Sequence, residues 1–162
     1  MTRTITIDPV TCIEGHAKIT IHLDEQGAVE MARLHVIEFR GFEKFCVSRI
    51  VREFPVITAR ICGICPVAYQ MSAIHAIEKA FGVTIIGPIR ELRRLLYCGE
   101  WIESHALHVH LLHAPDFLGY DSGLDMAADF PQEVNRGLQL KKHGNRLLEV
   151  LGGRAIHPIN VA

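Results

Sequence analysis

Cys62 and Cys65 stand close together in "RICGICPVAY" at 60–69, with Gly63 and Ile64 between them and Pro66 directly after. Two thiols at this spacing can close a redox disulfide, supply half of a zinc site, or bind a softer transition metal as thiolates. A thioredoxin-like dithiol needs a βαβ setting, and the residues before the pair read as an antiparallel meander. A zinc ribbon needs a second Cys-x-x-Cys, and the chain has none. The plain alternative is a pair of buried cysteines packed at a helix start. Position favours thiolate chemistry. Pro66 suits the first turn of a helix, where its missing N–H has no intrahelical partner anyway. Cys65 then sits at the amino end, where free N–H groups and the helix dipole favour an anion and lower a thiol's pKa. Gly63 permits the tight backbone that turns two sulfurs toward one centre, and Arg60 adds positive charge nearby.

The elements that must hold this pair follow from periodicity. "TITID" at 4–8, "AKITIHL" at 17–23 and "AVEMARLHVIEF" at 28–39 alternate as strands do, with turn residues "DEQG" at 24–27. Val67, Met71, Ile74 and Phe81 recur at helical spacing over 66–81, with Gly82 as the stop. A second helix is expected over 88–113, closed before Pro115, and a third over 131–151, closed by Gly152 and Gly153. The link at 114–130 reads as turns. The fold class is α+β: a small N-terminal antiparallel sheet followed by a bundle of long helices. The chain reads as a single incomplete domain over 1–162, with a β meander at 1–40 and a mainly helical part at 41–162. The final "GGRAIHPINVA" resembles a loop leading into another element, so a fragment of a longer protein is expected.

Composition bounds the function. The 162 residues are 49% apolar and 22% charged, with a mean hydropathy of +0.19, which describes a globular chain and not a disordered one. A formal net charge of −1 gives no electrostatic footprint for nucleic acid. No apolar run reaches the length of a membrane span, and "MTRTITIDPV" lacks the regions of a signal peptide. Five cysteines, an odd number, argue for reduced thiols and a cytoplasmic location. Cys46 and Cys98 read as small buried hydrophobes. His105 and His108, and likewise His110 and His113, form pairs on different helix faces and are assigned structural or surface roles.

"RICGIC" is similar to the first cysteine motif of the large, catalytic subunit of nickel–iron hydrogenases. "DPVTCIEGH" at 8–16, "EFRGFEKF" at 38–45, "SHALHVHLLHAPDFLG" at 104–119 and "GGRAIHPIN" at 152–160 resemble other segments of that subunit in the same order. The soluble, bidirectional type is the most similar. The resemblance implies that Cys62 is a terminal nickel thiolate and that Cys65 bridges nickel and iron. It implies that Glu43 is a carboxylate near magnesium, a hard cation suited to oxygen ligands, and that Glu14 passes protons. From the residues alone, Glu43 is a surface helix glutamate and Glu14 a solvated turn residue. The implied activity is reversible heterolytic oxidation of hydrogen, which needs a metal and a base with a carboxylate relay. The implied cofactors are a nickel–iron centre, its iron carrying diatomic ligands, and magnesium. The implied partners are an iron–sulfur small subunit, diaphorase-type subunits serving a soluble electron carrier, and maturation chaperones.

The chain departs from the family pattern in three places. The histidine expected four residues after the second cysteine is Tyr69, and the arginine expected in the N-terminal signature is Cys12. A second, C-terminal Cys-x-x-Cys, which supplies the remaining thiolates in the family, does not occur. The chain alone is therefore expected to be inactive. The competing readings are a non-catalytic relic or assembly module, and a small zinc or redox dithiol protein. The quinone-site subunit of respiratory complex I resembles the same family but lacks the cysteine motif, and the intact "CGIC" argues against it.

Overall fold

A computed structural model describes residues 3–11, 13–39 and 41–160. Cys12, one of the departures noted above, lies outside them. The chain divides into two compact units, Met1–Phe45 and Cys46–Ala162.

The first unit is built on the meander. Strands β1 (Arg3–Ile7), β2 (Ala17–Leu23) and β3 (Val29–Val36) form an antiparallel sheet in that order. Their register places Ile5 opposite Ile21 and Ile21 opposite Ala32 on one face, with Thr4 opposite His22 and Thr20 opposite Arg33 on the other. The alternation of β-branched and polar residues thus separates an apolar face from a polar one, as the period of two requires. The β2–β3 turn is held by Asp24, whose carboxylate accepts from the N–H of Gln26 and of Ala28. A short helix, α1 (Phe42–Cys46), closes this stretch.

The second unit is helical. A single 3₁₀ turn at Val51–Glu53 leads into α2 (Phe54–Ala59), and α3 (Pro66–Phe81) follows the cysteine turn. After α4 (Pro88–Leu107) the backbone widens into one π-helical turn at His108–His113 and re-enters α-helix as α5 (Ala114–Leu118). The expected stop before Pro115 is therefore not a stop. Pro115 falls in the first turn of α5, where its lost donor is not needed, and Gly119 at φ 81° ends the run. The 114–130 link holds α5 and also α6 (Gly123–Met126), capped by the Ser122 hydroxyl. Helix α7 (Pro131–Gly152) ends one residue later than its sequence suggests, with Gly153 in the left-handed conformation.

Val67 and Met71 of α3, Leu96 of α4 and Leu148 of α7 form the buried core, with Ile74, Tyr97 and Leu151 packed against it. Helices α4 and α7 meet at glycines. A Cβ on Gly144 would stand 2.5 Å from the Glu103 N and 2.7 Å from the Gly99 O, so the two backbones are in direct contact. Beside this crossing the Lys141 ammonium pairs with the buried Glu103 carboxylate, and burial lowers the Lys141 pKa from its ordinary value.

Much apolar surface remains uncovered. Phe81, Ile86, Phe117, Leu124 and Val150 are each 69% exposed or more. Exposed apolar side chains in such number favour association, so the chain by itself is expected to self-associate. Sedimentation velocity checks this, and a single monomeric species at micromolar concentration would contradict it.

Candidate metal centre

The cysteine turn lies between α2 and α3. Its two cysteines come together: their Cα atoms are 5.5 Å apart and their sulfurs are joined as a disulfide. The odd cysteine count predicts reduced thiols, so this pairing differs from the sequence expectation. The physical reason is local, because the spacing and the Gly63 turn bring the sulfurs within bonding range. The Cys65 N–H also donates to the Cys62 sulfur, at 3.1 Å. Both cysteines are partly buried, whereas Cys46 and Cys98 are free and sit on α1 and α4.

The amino end of α3 is not open to the thiols in the way the sequence suggests. Pro66 has no N–H to offer. The next two donors, Val67 N and Ala68 N, are both taken by the carboxylate of Glu100 on α4, at 2.6 and 3.1 Å. Glu100 is 2% exposed. Burial pushes its carboxyl above the ordinary value, and the two amide donors offset part of that rise. The helix dipole is thus met mainly by Glu100 and not by Cys65.

The other arm of the turn is held by the loop after α7. His157 Nε2 lies 3.1 Å from the Cys62 carbonyl oxygen, and Arg60 donates to His157 Nδ1 at 3.1 Å. A guanidinium can only donate. Nδ1 is therefore the acceptor, the ring proton sits on Nε2, and Nε2–H donates to the Cys62 carbonyl. The loop itself is anchored where Gln70 Nε2 donates to the Pro158 carbonyl at 2.7 Å and Ile159 N to the Gly152 carbonyl at 2.8 Å. His157 adopts φ 52°, an unusual conformation for a residue with a side chain.

Of the other sequence-predicted residues, Glu14 is exposed in the bend between β1 and β2, and Glu43 is exposed in the first turn of α1, both in the first unit. The bend carrying Glu14 is well defined. Gly15 takes φ 85° against the Glu38 side chain, and His16 Nδ1 bonds Glu38 Oε1 at 2.5 Å. That bond is the main reason the Glu38 pKa is lowered. Tyr69 is partly exposed, and its carbonyl accepts from the Thr58 hydroxyl.

The histidines pair differently from the sequence expectation. His108 and His113 stack, with ring centroids 5.5 Å apart, because a π turn brings residues five apart onto one side. Sequence reasoning missed Glu100 and His157. For Glu100 the signal was present, since it falls with Leu96, Gly99 and Glu103 on one helical stripe.

The donor set suits a soft metal. Cys62 and Cys65, once reduced, offer two thiolates side by side, a donor type that suits nickel or iron.

Comparison with known proteins gives the same direction. A family model described as HoxL-like matches residues 4–39, and one described as nickel-dependent hydrogenase matches residues 40–160. The chain is 42% identical to one chain of the F420-non-reducing hydrogenase vhu of Methanocaldococcus jannaschii, over 96% of this chain and 39% of that protein. It is 36% identical to the NAD-reducing hydrogenase HoxS subunit beta of Cupriavidus necator, over 99% of this chain and 36% of that protein. Its fold superposes on a chain of an NAD+-reducing [NiFe]-hydrogenase crystallised in the H2-reduced state, with a TM-score of 0.82 at 40% identity, covering 96% of this chain and 36% of that one. The chain thus spans little more than a third of the length of these relatives.

Proposed function

The chain belongs to the nickel-dependent hydrogenase family, and from that premise we propose that it forms the N-terminal part of a large subunit that takes part in the reversible oxidation of hydrogen. The observation that carries this reading is the match of the nickel-dependent hydrogenase family over residues 40–160, within which Cys62 and Cys65 are brought side by side. In this reading Cys62 and Cys65 would be the thiolates that hold the nickel–iron centre, the roles the family resemblance implies for them. When bound, the nickel–iron centre supplies the electrophile that polarises hydrogen and an outlet for its electrons. Glu14, presented on the bend that Gly15 and His16 shape, takes a proton and releases it outward. Glu43 serves a magnesium ion with a carboxylate oxygen.

Two thiolates do not complete a four-thiolate centre, and Cys46 and Cys98 sit on other elements. The remaining thiolates must come from elsewhere in the assembled enzyme. The chain alone is accordingly inactive. An iron–sulfur small subunit receives the electrons, and the similarity to an NAD-reducing enzyme favours a soluble carrier served by diaphorase-type subunits. No helix among the described residues is long and apolar enough to cross a membrane.

The test is metal content in the assembled complex. Cys62→Ser and Cys65→Ser are each expected to lose nearly all nickel, while Cys46→Ser and Cys98→Ser keep it. Elemental analysis of each purified complex reads this directly, and unchanged nickel in Cys65→Ser would overturn the assignment. The sulfur–sulfur pairing favours one second reading, a zinc or redox dithiol. Stoichiometric zinc without nickel is the result that would promote it.

A further inference from the structure

Two side chains far from the cysteines in sequence grip the backbone on either side of them. Glu100 comes from α4 and His157 from the loop after α7. We propose that Glu100 and His157 are positioning residues for the Cys62–Cys65 pair: the Glu100 carboxylate fixes the first turn of α3 through Val67 N and Ala68 N, the His157 imidazole fixes the opposite arm through the Cys62 carbonyl, and together they fix the backbone that keeps the two sulfurs side by side. The inference rests on the reading of the two cysteines as metal thiolates.

The geometry is specific in both grips. A carboxylate offers two acceptor oxygens, and each receives one of the two adjacent amide donors. A side-chain amide of the same shape carries an NH2 in place of one of the two oxygens, so in this geometry one of the two N–H groups would face a donor. Burying a carboxylate is costly without partners. The site repays that cost with two charge-assisted hydrogen bonds at a helix amino end. On the other arm, Arg60 sets the tautomer of His157 and so guarantees a donor toward Cys62. The positive φ of His157 and the Gln70–Pro158 bond hold its ring in place. Partners that orient metal ligands tune a metal site, and these two act on the backbone that carries the cysteines.

The experiment measures the dithiol–disulfide equilibrium of Cys62 and Cys65 in the full chain against glutathione, read by alkylation and mass mapping. In this exchange the two thiols lose two electrons and two protons to form the S–S bond, and glutathione disulfide is reduced to two glutathione thiols. Loosening either grip lowers the effective concentration of one sulfur at the other. Glu100→Gln and His157→Ala are each expected to reduce the equilibrium constant roughly tenfold, the order of effect of losing a hydrogen bond to a buried group. His157→Gln, which restores an N–H near the same place at the same φ, should recover most of the loss. An exposed variant on another element, Leu124→Ala of α6, should leave the equilibrium within about twofold of the parent.

A parent-like equilibrium in Glu100→Gln would overturn the proposal, as would equal behaviour of His157→Gln and His157→Ala. Where Glu100→Gln fails to fold, the two His157 variants decide. Nickel in the assembled complex is scored separately. Shifted equilibria with no nickel in the parent would sustain the positioning role and remove the metal reading, whereas nickel in the parent with unshifted equilibria would do the reverse.

Discussion

Gly144→Ala is expected to destabilise the chain by about 3 kcal/mol, at the upper end of the usual cost of overpacking. Alanine in place of an ordinary mid-helix glycine has the opposite sign, a gain of up to about 1 kcal/mol. The difference comes from what the new methyl would meet. All three of its nearest neighbours are backbone atoms: Glu103 N at 2.5 Å, Gly99 O at 2.7 Å and Glu103 Cα at 2.9 Å. No rotamer change relieves a clash with backbone, so α4 and α7 must separate. Separation strains the Lys141–Glu103 pair and loosens Leu96 against Leu148. Urea unfolding followed by circular dichroism measures the change, with Lys142→Ala as an exposed control on the same helix. A Gly144→Ala variant as stable as its parent would show that the helices are not held at this distance.

Glu14→Gln in the assembled enzyme should cut hydrogen–deuterium exchange by about 10²- to 10⁴-fold, the usual worth of a positioned acid–base group, while nickel content stays unchanged. Glutamine keeps the shape and polarity of the side chain but can neither accept nor release a proton near neutral pH. The bend that carries Glu14 is fixed by Gly15 and by the His16–Glu38 bond, so the substitution is not expected to move its backbone. Losing nickel together with exchange would point to a structural role. Normal exchange would remove Glu14 from proton transfer.

The parts that were legible in the sequence are those whose signal is periodic or local. Alternation over 17–23 gives β2 with the same ends as the structure, and helical spacing gives α3 over 66–81. That Cys62 and Cys65 come together was legible because their spacing lies within four residues, but their joining as a disulfide was not. Helix α2 does not show in the sequence and α1 shows only as a helix under Glu43, since five or six residues are too short to show a period. The 88–113 stretch was read as one helix on one wheel, but the π turn at 108–113 shifts the phase, so faces assigned beyond His108 do not follow from the wheel. That is why the histidines pair as His108 with His113. Glu100 was hidden for a different reason. An acidic residue in a charged helix reads as solvated, and its partners, Val67 N and Ala68 N, are backbone atoms that no sequence pattern marks. Its place on the stripe of Leu96 and Gly99 was the available clue. Gly144 likewise reads as a weak point in α7, and only the crossing with Gly99 shows that it is required.

The two grips on the cysteine turn are also separated in time. His157 is 95 positions after Cys62, whereas Glu100 is 33 positions after Val67. At a ribosomal rate of about 5–20 residues per second, Glu100 is added about 2–7 s after Val67. His157 is added about 5–19 s after Cys62 by the same rate. The helix-side grip is therefore available early in synthesis and the carbonyl-side grip late. Between the two, the nascent chain carries both thiols with one arm of their turn unset. The moment at which they become a fixed pair is timed by translation of the loop after α7.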